Sequence, residues 1–274
     1  VWTCRAAPGW EVHAAAAEVH RARGDRTAHA RAVGGFVAAC GGGSEGVTAA
    51  ARLLDGAEDE VARALLTAWL RRALDDLWRS DPGELPHLGM AHGRAGVLYA
   101  TLHACRSAGF PRPPGLEACL DGLAALAEPS GRGVRWPGTL ALPGVTARTP
   151  SLAPGWCAGS AGHAILFALA YEELGDDRFL TLAERAGDYA IDHPATDPDL
   201  CCGLTGRAFA LLRLHQVTGD ESRLSAAQRL AGAAAAGWAG REAAPTLRRG
   251  PLGTALLLVE LEAPEHAQVP NPAG

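Results

Sequence analysis

The motif Gly-x-x-Gly occurs five times in this chain of 274 residues, and its spacing restricts the fold more than any other feature. The copies begin at Gly43, Gly93, Gly159, Gly203 and Gly250, at intervals of about 44 to 66 residues. A period near 40–50 residues is typical of repeats that contain two helices. Because small and apolar residues follow each copy, we predict a helix directly after each motif.

Between the motifs lie the signals for a second helix in each repeat. Two apolar runs end at a Gly-Asp pair, namely 164–174 at Gly175-Asp176 and 208–217 at Gly219-Asp220. Glycine adopts the left-handed conformation that ends a helix, and aspartate caps the helix that follows. We therefore predict second helices over 183–190 and 224–236. A degenerate copy at Trp10–Arg23 also ends at a Gly-Asp pair but lacks its Gly-x-x-Gly.

The repeats predict an all-α fold, since no strand-like alternation of useful length occurs. Helical pairs of this kind close into a ring or stack as an open solenoid. Aromatic residues are only 5% of the chain, so the core must consist of small and aliphatic side chains. Such inner helices fit the narrow end of a closed ring, and we favour an α/α toroid. Periodicity leaves open the alternative of a helical scaffold that only binds a partner.

Composition excludes several classes of protein. At 48% hydrophobic residues the chain can bury a substantial core, and we expect a single domain over residues 1–274. It contains no apolar run long enough for a transmembrane helix. The net charge of −5 argues against binding to nucleic acid. Seven irregularly spaced cysteines are typical of a reducing compartment, so we expect a cytoplasmic protein. Because Val1 is neither a starting methionine nor the beginning of a signal peptide, we expect a piece of a longer chain.

Three of the five motifs have a residue that can bind metal or transfer a proton just before the first glycine. These residues are His92, Cys157, Cys201 and Cys202. Equivalent loops of a closed toroid open at the same end of the ring, so these side chains would converge on one pocket. Three thiolates could then bind one Zn²⁺ and leave its fourth tetrahedral position open, as in catalytic zinc sites.

Each candidate also has an ordinary structural alternative. A lone cysteine is most often a buried small hydrophobe, and this remains open for Cys157. Adjacent side chains on a helix diverge by about 100°, so Cys201 and Cys202 can face one ion only at a loop–helix junction. We treat His163 as a second pocket candidate and His87 as an ordinary surface or core histidine. Four cysteines are assigned to packing: Cys4, Cys40, Cys105 and Cys119.

The residues around the motifs resemble those of a known family. They are Gly89-Met-Ala-His-Gly-Arg-Ala-Gly96, Trp156-Cys-Ala-Gly-Ser-Ala-Gly162, Leu200-Cys-Cys-Gly-Leu-Thr-Gly206 and the ending Arg249–Leu261 with Pro264 behind it. The chain resembles the lanthionine synthetase C-like family, the cyclases of lanthipeptide biosynthesis, from about residue 40 to its end. The ordered combination of Trp-Cys-x-Gly and then Cys-Cys-Gly makes the resemblance specific.

This resemblance implies an α/α toroid, a zinc cofactor and a dehydrated precursor peptide as substrate. Members add a cysteine thiol of the peptide to dehydroalanine or dehydrobutyrine and so form (methyl)lanthionine thioether rings. Cys157 and Cys201 match the two cysteine ligands of the family. Cys202 stands where many members have histidine, as in a Cys-Cys-Gly subgroup, and His92 matches the acid/base histidine. A dehydratase or a kinase/lyase, as partner or fused domain, is also implied.

The chain departs from the family pattern at several positions. Ala39 stands where the third loop commonly has aspartate, and Ala158 replaces a tyrosine that often follows the first zinc cysteine. No arginine lies shortly upstream of that cysteine, and the chain is shorter by at least one of the family's seven helical pairs. The alternative is therefore a catalytically weak or silent toroid that binds a precursor peptide or a modifying enzyme. A glycosidase is disfavoured because the motifs contain only Glu45 as a carboxylate.

Overall fold

Helices form most of the structure, a computed structural model that describes residues 10–140, 154–194 and 197–269. The helices in these ranges are α1 (Trp10–Ala22), α2 (Arg26–Ala39), α3 (Ser44–Asp55), α4 (Glu60–Leu77), α5 (Arg94–Ala108), α6 (Leu116–Ala124), α7 (Ser160–Leu174), α8 (Asp177–Asp192), α9 (Leu204–Thr218), α10 (Glu221–Trp238) and α11 (Pro251–Glu260). Short 3₁₀ turns occupy Pro82–Glu84 and Pro264–His266. No described helix is long and apolar enough to cross a membrane.

A small antiparallel hairpin lies between α6 and α7. Its strands are β1 (Glu128–Ser130) and β2 (Gly133–Arg135), and Glu128 pairs with Arg135. The sequence did not indicate these strands, because three residues are too few for an alternating pattern to show. The carbonyl of Val134 in β2 accepts a hydrogen bond from the hydroxyl of Ser160 at 3.0 Å, so the hairpin contacts the first turn of α7.

The predicted helix ends are confirmed. Gly175 and Gly219 follow α7 and α9 in the left-handed conformation, with φ of 69° and 70°. The side chains of Asp176 and Asp220 then accept hydrogen bonds from backbone amides in the first turns of α8 and α10. Gly24-Asp25 separates α1 from α2 in the same way, with φ of 70° at the glycine. The degenerate first copy of the repeat is therefore a helical pair as well.

A helix begins directly after the first glycine of every Gly-x-x-Gly motif, so each motif marks the start of a helix as predicted. In four of the five copies the first glycine is itself the N-cap: Gly43 for α3, Gly159 for α7, Gly203 for α9 and Gly250 for α11. The helices begin inside the motifs, several residues before the apolar runs from which they were predicted. Residues just before each first glycine consequently lie in the loop that leads into a helix.

The chain divides into two units. Of the described residues, 10–84 with Val97–Leu116 form the first, and Leu85–Gly96 with those between 117 and 269 form the second. In the first unit α1 packs on α2, and α4 packs on both α2 and α3. Phe36 and Trp69 meet there with ring centroids 5.7 Å apart. The expectation of one domain over residues 1–274 stays a prediction.

In the second unit the two helices of a repeat differ in burial as the repeat predicts. Residues 160–170 of α7 are buried without exception, and α9 is buried almost as completely. By contrast α8 buries one face only, through residues such as Phe179, Ala183 and Tyr189. Because α7 is buried on all sides along residues 160–170, whereas α8 buries only one face and packs on α7, α7 is the inner helix and α8 its outer partner.

Candidate functional site

Backbone hydrogen bonds join the loops that lead into α5, α7, α9 and α11. The amide of Ala91 donates to the carbonyl of Cys157, the amide of Cys157 to Cys201, and the amide of Cys201 to Arg248, each at 3.0 Å. All four residues stand two positions before the first glycine of their motifs. We call this series the backbone ladder. It places equivalent positions of successive repeats next to one another, although they are far apart in sequence.

Three cysteine side chains come together on the backbone ladder. The sulfurs of Cys157, Cys201 and Cys202 all lie within 4.8 Å of one another. Cys157 and Cys202 are 3.4 Å apart at their sulfurs, and Cys202 and Cys201 are 3.5 Å apart. All three are free thiols in the structure. The two loops therefore bring together the three residues that were predicted as metal ligands, and their role as ligands stays a prediction.

Asp199 holds the two adjacent cysteines in the conformation that lets their sulfurs meet. One of its carboxylate oxygens accepts hydrogen bonds from the amides of Cys202 and Gly203, at 2.8 and 3.1 Å. The turn lies before α9, so the divergence expected of neighbours on a helix does not apply. Sequence reasoning missed Asp199. The sequence did contain a signal for it: aspartate readily accepts hydrogen bonds from backbone amides near the start of a helix, and Asp199 stands four positions before Gly203, the first glycine of its motif.

The three thiols share hydrogen bonds that concentrate negative charge on Cys201. Hydrogen bonds from Cys157 and Cys202 lower the pKa of Cys201, and the positive charges of Arg249 and Arg248 lower it further. The pKa of Cys157 is raised, chiefly because its thiol hydrogen-bonds to Cys201. The cluster thus stabilises a thiolate beside two arginines.

The arrangement of the sulfurs fits a zinc ion. A Zn–S distance of about 2.3 Å in tetrahedral geometry corresponds to sulfurs roughly 3.8 Å apart. Two of the separations in the cluster, 3.4 and 3.5 Å, lie within a few tenths of an ångström of that value, and the third pair is no farther apart than 4.8 Å. Three thiolates are also a donor set that zinc prefers, and they leave one tetrahedral position for a further ligand.

A cavity of about 710 Å³ opens beside the cluster. Cys157 and Cys201 line it, and so does His92, the predicted acid/base residue. Its other walls include Ala158, which follows Cys157, and three residues not expected there from sequence: His87, Arg248 and Arg249. The sequence did contain a signal for the arginines. Arg249 directly precedes Gly250, the first glycine of its motif, and His92 occupies the same position before Gly93. The imidazole of His87 lies 3.1 Å from the hydroxyl of Thr139.

Comparison with known proteins decides the family. A model of the lanthionine synthetase C-like proteins matches residues 42–272. This chain belongs to that family. Among solved structures, nisin cyclase matches with a TM-score of 0.61 and 16% identity, over 78% of this chain and 61% of nisin cyclase. The likeness confirms the predicted fold class, a helical α/α toroid. No curated protein sequence matches the chain.

In this lanthionine synthetase C-like chain, the second pocket candidate, His163, lies in the interior of the protein. Its side chain is fully buried in α7 and does not line the cavity. Nδ1 donates a hydrogen bond to the carbonyl of Gly159 at 2.9 Å. The imidazole stacks on Trp136, with ring centroids 4.3 Å apart and planes 3° apart. His163 therefore packs the first turn of α7 against Trp136, the residue that directly follows β2.

Burial lowers the pKa of His163 to about 4 from 6.5, so we expect a pH-dependent stability. The folded protein keeps this histidine neutral, whereas the unfolded chain takes up a proton as pH falls below about 6.5. Its contribution to the free energy of unfolding should thus fall by about 3 kcal/mol between pH 6.5 and 4. Urea unfolding of wild type and His163→Asn across this range tests the expectation. A variant as pH-dependent as wild type would contradict it.

The sequence assigned the described cysteines outside the cluster to packing, and the burial of Cys105 fits that role, which stays a prediction for Cys40 and Cys119. Cys105 is buried, and Cys40 and Cys119 are half-buried. None of the three belongs to the group of sulfurs described above. Cys4 lies outside the described residues.

Proposed function

We propose that this chain is a zinc-dependent peptide cyclase that forms (methyl)lanthionine thioether rings. One observation carries the proposal: three cysteine sulfurs within 4.8 Å of one another adjoin a cavity that His92 also lines. Membership of the lanthionine synthetase C-like family supports it. The match spans 61% of nisin cyclase, so substrate and partners are proposed as well.

Cys157, Cys201 and Cys202 would hold the zinc ion through their thiolates. When bound, zinc supplies a Lewis acid that lowers the pKa of a peptide thiol, so that the nucleophile exists near neutral pH. Asp199 keeps the Cys-Cys turn in place through its hydrogen bonds to two backbone amides. The backbone ladder fixes Cys157 beside Cys201, so the two loops need no rearrangement to share one ion.

His92 would act as the general acid. The peptide thiolate bonds to the β-carbon of dehydroalanine or dehydrobutyrine, and the π electrons of the alkene move toward the carbonyl as an enolate. His92 then gives a proton to the α-carbon, which completes the thioether. The peptide thiol loses one proton and the α-carbon gains one from His92, so the overall reaction neither consumes nor releases protons. Its exposed position at the cavity wall allows His92 to be protonated again from solvent.

The substrate would be a ribosomally made precursor peptide that already contains dehydroamino acids. A dehydratase or a kinase/lyase, either as a separate partner or as a fused domain, would supply that peptide, because the proposed cyclase consumes dehydroamino acids and does not make them. The open cavity of about 710 Å³ is large enough for several residues of such a peptide.

Substitution of His92 tests this function. We expect His92→Gln to slow ring closure of a dehydrated peptide by about 100-fold or more, because general acid catalysis is lost. Its zinc content should equal that of wild type, since His92 is outside the sulfur cluster. Mass spectrometry after thiol alkylation measures ring closure, and His266→Gln on the exposed 3₁₀ turn is the control. Wild-type protein that contains no zinc and resists reconstitution would refute the proposal.

A silent toroid that only binds the peptide is the second candidate. It is favoured by Ala158, which lines the cavity without an acid or base at a position where tyrosine is common in the family. Such a protein would retain zinc and bind the precursor peptide, but wild type and His92→Gln would both fail to close rings. Measuring peptide binding by calorimetry beside ring closure separates the two functions.

A further inference from the structure

Arg248 and Arg249 are fixed to the loop that contains Cys201. The carbonyl of Arg248 accepts hydrogen bonds from the amides of both Leu200 and Cys201, at 3.1 and 3.0 Å. Arg249 occupies the position directly before the first glycine of its motif, as His92 and Cys202 do in theirs. Both arginines line the same cavity as Cys157 and Cys201. Their location therefore follows from the repeat and is not that of an isolated surface charge.

Arg249 contacts the sulfur cluster through its side chain. Its guanidinium hydrogen-bonds to Cys201 and lies close enough to Cys202 for electrostatic attraction. Arg248 is half-buried and adds a second positive charge near Cys201. A guanidinium group is a fixed positive charge, so both arginines contribute permanent charge to the cavity wall.

The charge of the proposed metal centre determines what the arginines can do. Three thiolates and one Zn²⁺ sum to a formal charge of −1. A thiolate in the fourth position raises the negative charge to −2, whereas a neutral ligand leaves it at −1. Positive charges at the cavity wall thus favour the thiolate over a neutral competitor such as an imidazole or water.

We propose that Arg249, assisted by Arg248, determines the preference of this centre for a thiolate as its fourth ligand. The proposal deepens the cyclase function and rests on its zinc site. Arg249 acts on the nucleophile through charge and through its contact with Cys201. It supplies a positive charge in a cavity whose wall next to Cys157 is the uncharged side chain of Ala158.

Ligand binding to cobalt-substituted protein tests the proposal without any measurement of ring closure. Two probes are compared by visible absorption: 2-mercaptoethanol, which binds as an anion, and imidazole, which binds as a neutral molecule. We expect Arg249→Gln to weaken mercaptoethanol binding about fivefold at low salt, an effect reduced by the exposure of the side chain. Imidazole affinity and cobalt stoichiometry should stay at wild-type values.

Further variants separate charge from structure. Arg249→Lys keeps the charge and should restore most of the mercaptoethanol affinity. The matched control Arg241→Gln removes an exposed arginine that does not line the cavity, and it should have no effect. The difference between wild type and Arg249→Gln should shrink as ionic strength rises, because surface charges are screened.

The outcomes distinguish this inference from the proposed function. Equal losses of mercaptoethanol and imidazole affinity in Arg249→Gln would show a structural role and overturn the inference. Unchanged affinities for both probes would also overturn it, and in either case the zinc site would stand. If wild-type protein bound no cobalt, the proposed function itself would fail and this inference with it.

Discussion

Replacing Cys157 with alanine is expected to reduce zinc affinity by at least about 100-fold, since residues that merely orient a ligand already contribute 10–100-fold. Cys157 is the only sulfur of the cluster that comes from the loop before α7; the other two come from the loop before α9. Without it, two adjacent cysteines remain, which is too few for a closed or catalytic zinc site. Ring closure should be lost together with the metal.

Metal content by mass spectrometry and affinity by chelator competition measure this effect. Cys119→Ala is the matched control, because Cys119 is also half-buried but lies outside the cluster. Its zinc content should remain at the wild-type value. Cys202→Ala tests the third ligand in the same assay and should also bind zinc weakly. Stoichiometric zinc in Cys157→Ala would show that the cluster is not the metal site.

The second large effect is expected in the free energy of unfolding. Gly206 is the second glycine of its motif, and a Cβ at this position would lie 2.1 Å from the carbonyl oxygen of Leu200 and 2.8 Å from Cβ of Trp156. Neither atom can move without shifting backbone, so Gly206→Ala should lower stability by about 3 kcal/mol. Urea unfolding followed by circular dichroism measures the change.

A second glycine in the same unit provides the control. Gly232 lies in α10 without a positive φ, and a Cβ added to it would have no heavy atom within 4 Å. Gly232→Ala should therefore raise stability by about 0.5–1 kcal/mol, because alanine loses less conformational entropy in a helix. Similar effects of the two substitutions would contradict the close packing inferred for the motif. The added Cβ of Gly206→Ala would push against the carbonyl of Leu200, which directly precedes Cys201. We therefore expect this substitution to displace Cys201 and weaken metal binding as well.

The same close approach recurs in the neighbouring motifs. A Cβ on Gly162 would lie 2.2 Å from the carbonyl oxygen of Trp156 and 2.9 Å from Cβ of Met90. One on Gly253 would lie 2.5 Å from the carbonyl oxygen of Leu247 and 3.0 Å from Cβ of Leu200. In these three motifs the second glycine is therefore needed where the first turn of a helix packs against its own loop and the loop of the previous repeat. Periodicity reveals such glycines, but only the structure shows what they approach.

Much of the fold could be predicted because its signals are local. Left-handed glycines and aspartate caps act within one turn of a helix, so Gly175-Asp176 and Gly219-Asp220 could be interpreted without knowledge of the rest of the chain. The repeat also indicated that Cys157 and Cys201 occupy equivalent loops. By contrast, the short hairpin had no pattern of its own, and the position of Asp199 did not by itself indicate which two amides donate to its carboxylate.

The sequence by itself determined the helical pairs, the Gly-Asp turns between their helices and the set of residues that occupy equivalent loops. Only the tertiary structure decided which of those residues meet. The backbone ladder brings Cys157, Cys201 and Arg248 together, and burial against Trp136 keeps His163 out of the cavity. The physical reason is the sequence separation of the interacting residues. Helix caps and turns depend on residues that are neighbours in sequence. The sulfur cluster and the arginines beside it depend on hydrogen bonds between loops more than 40 residues apart.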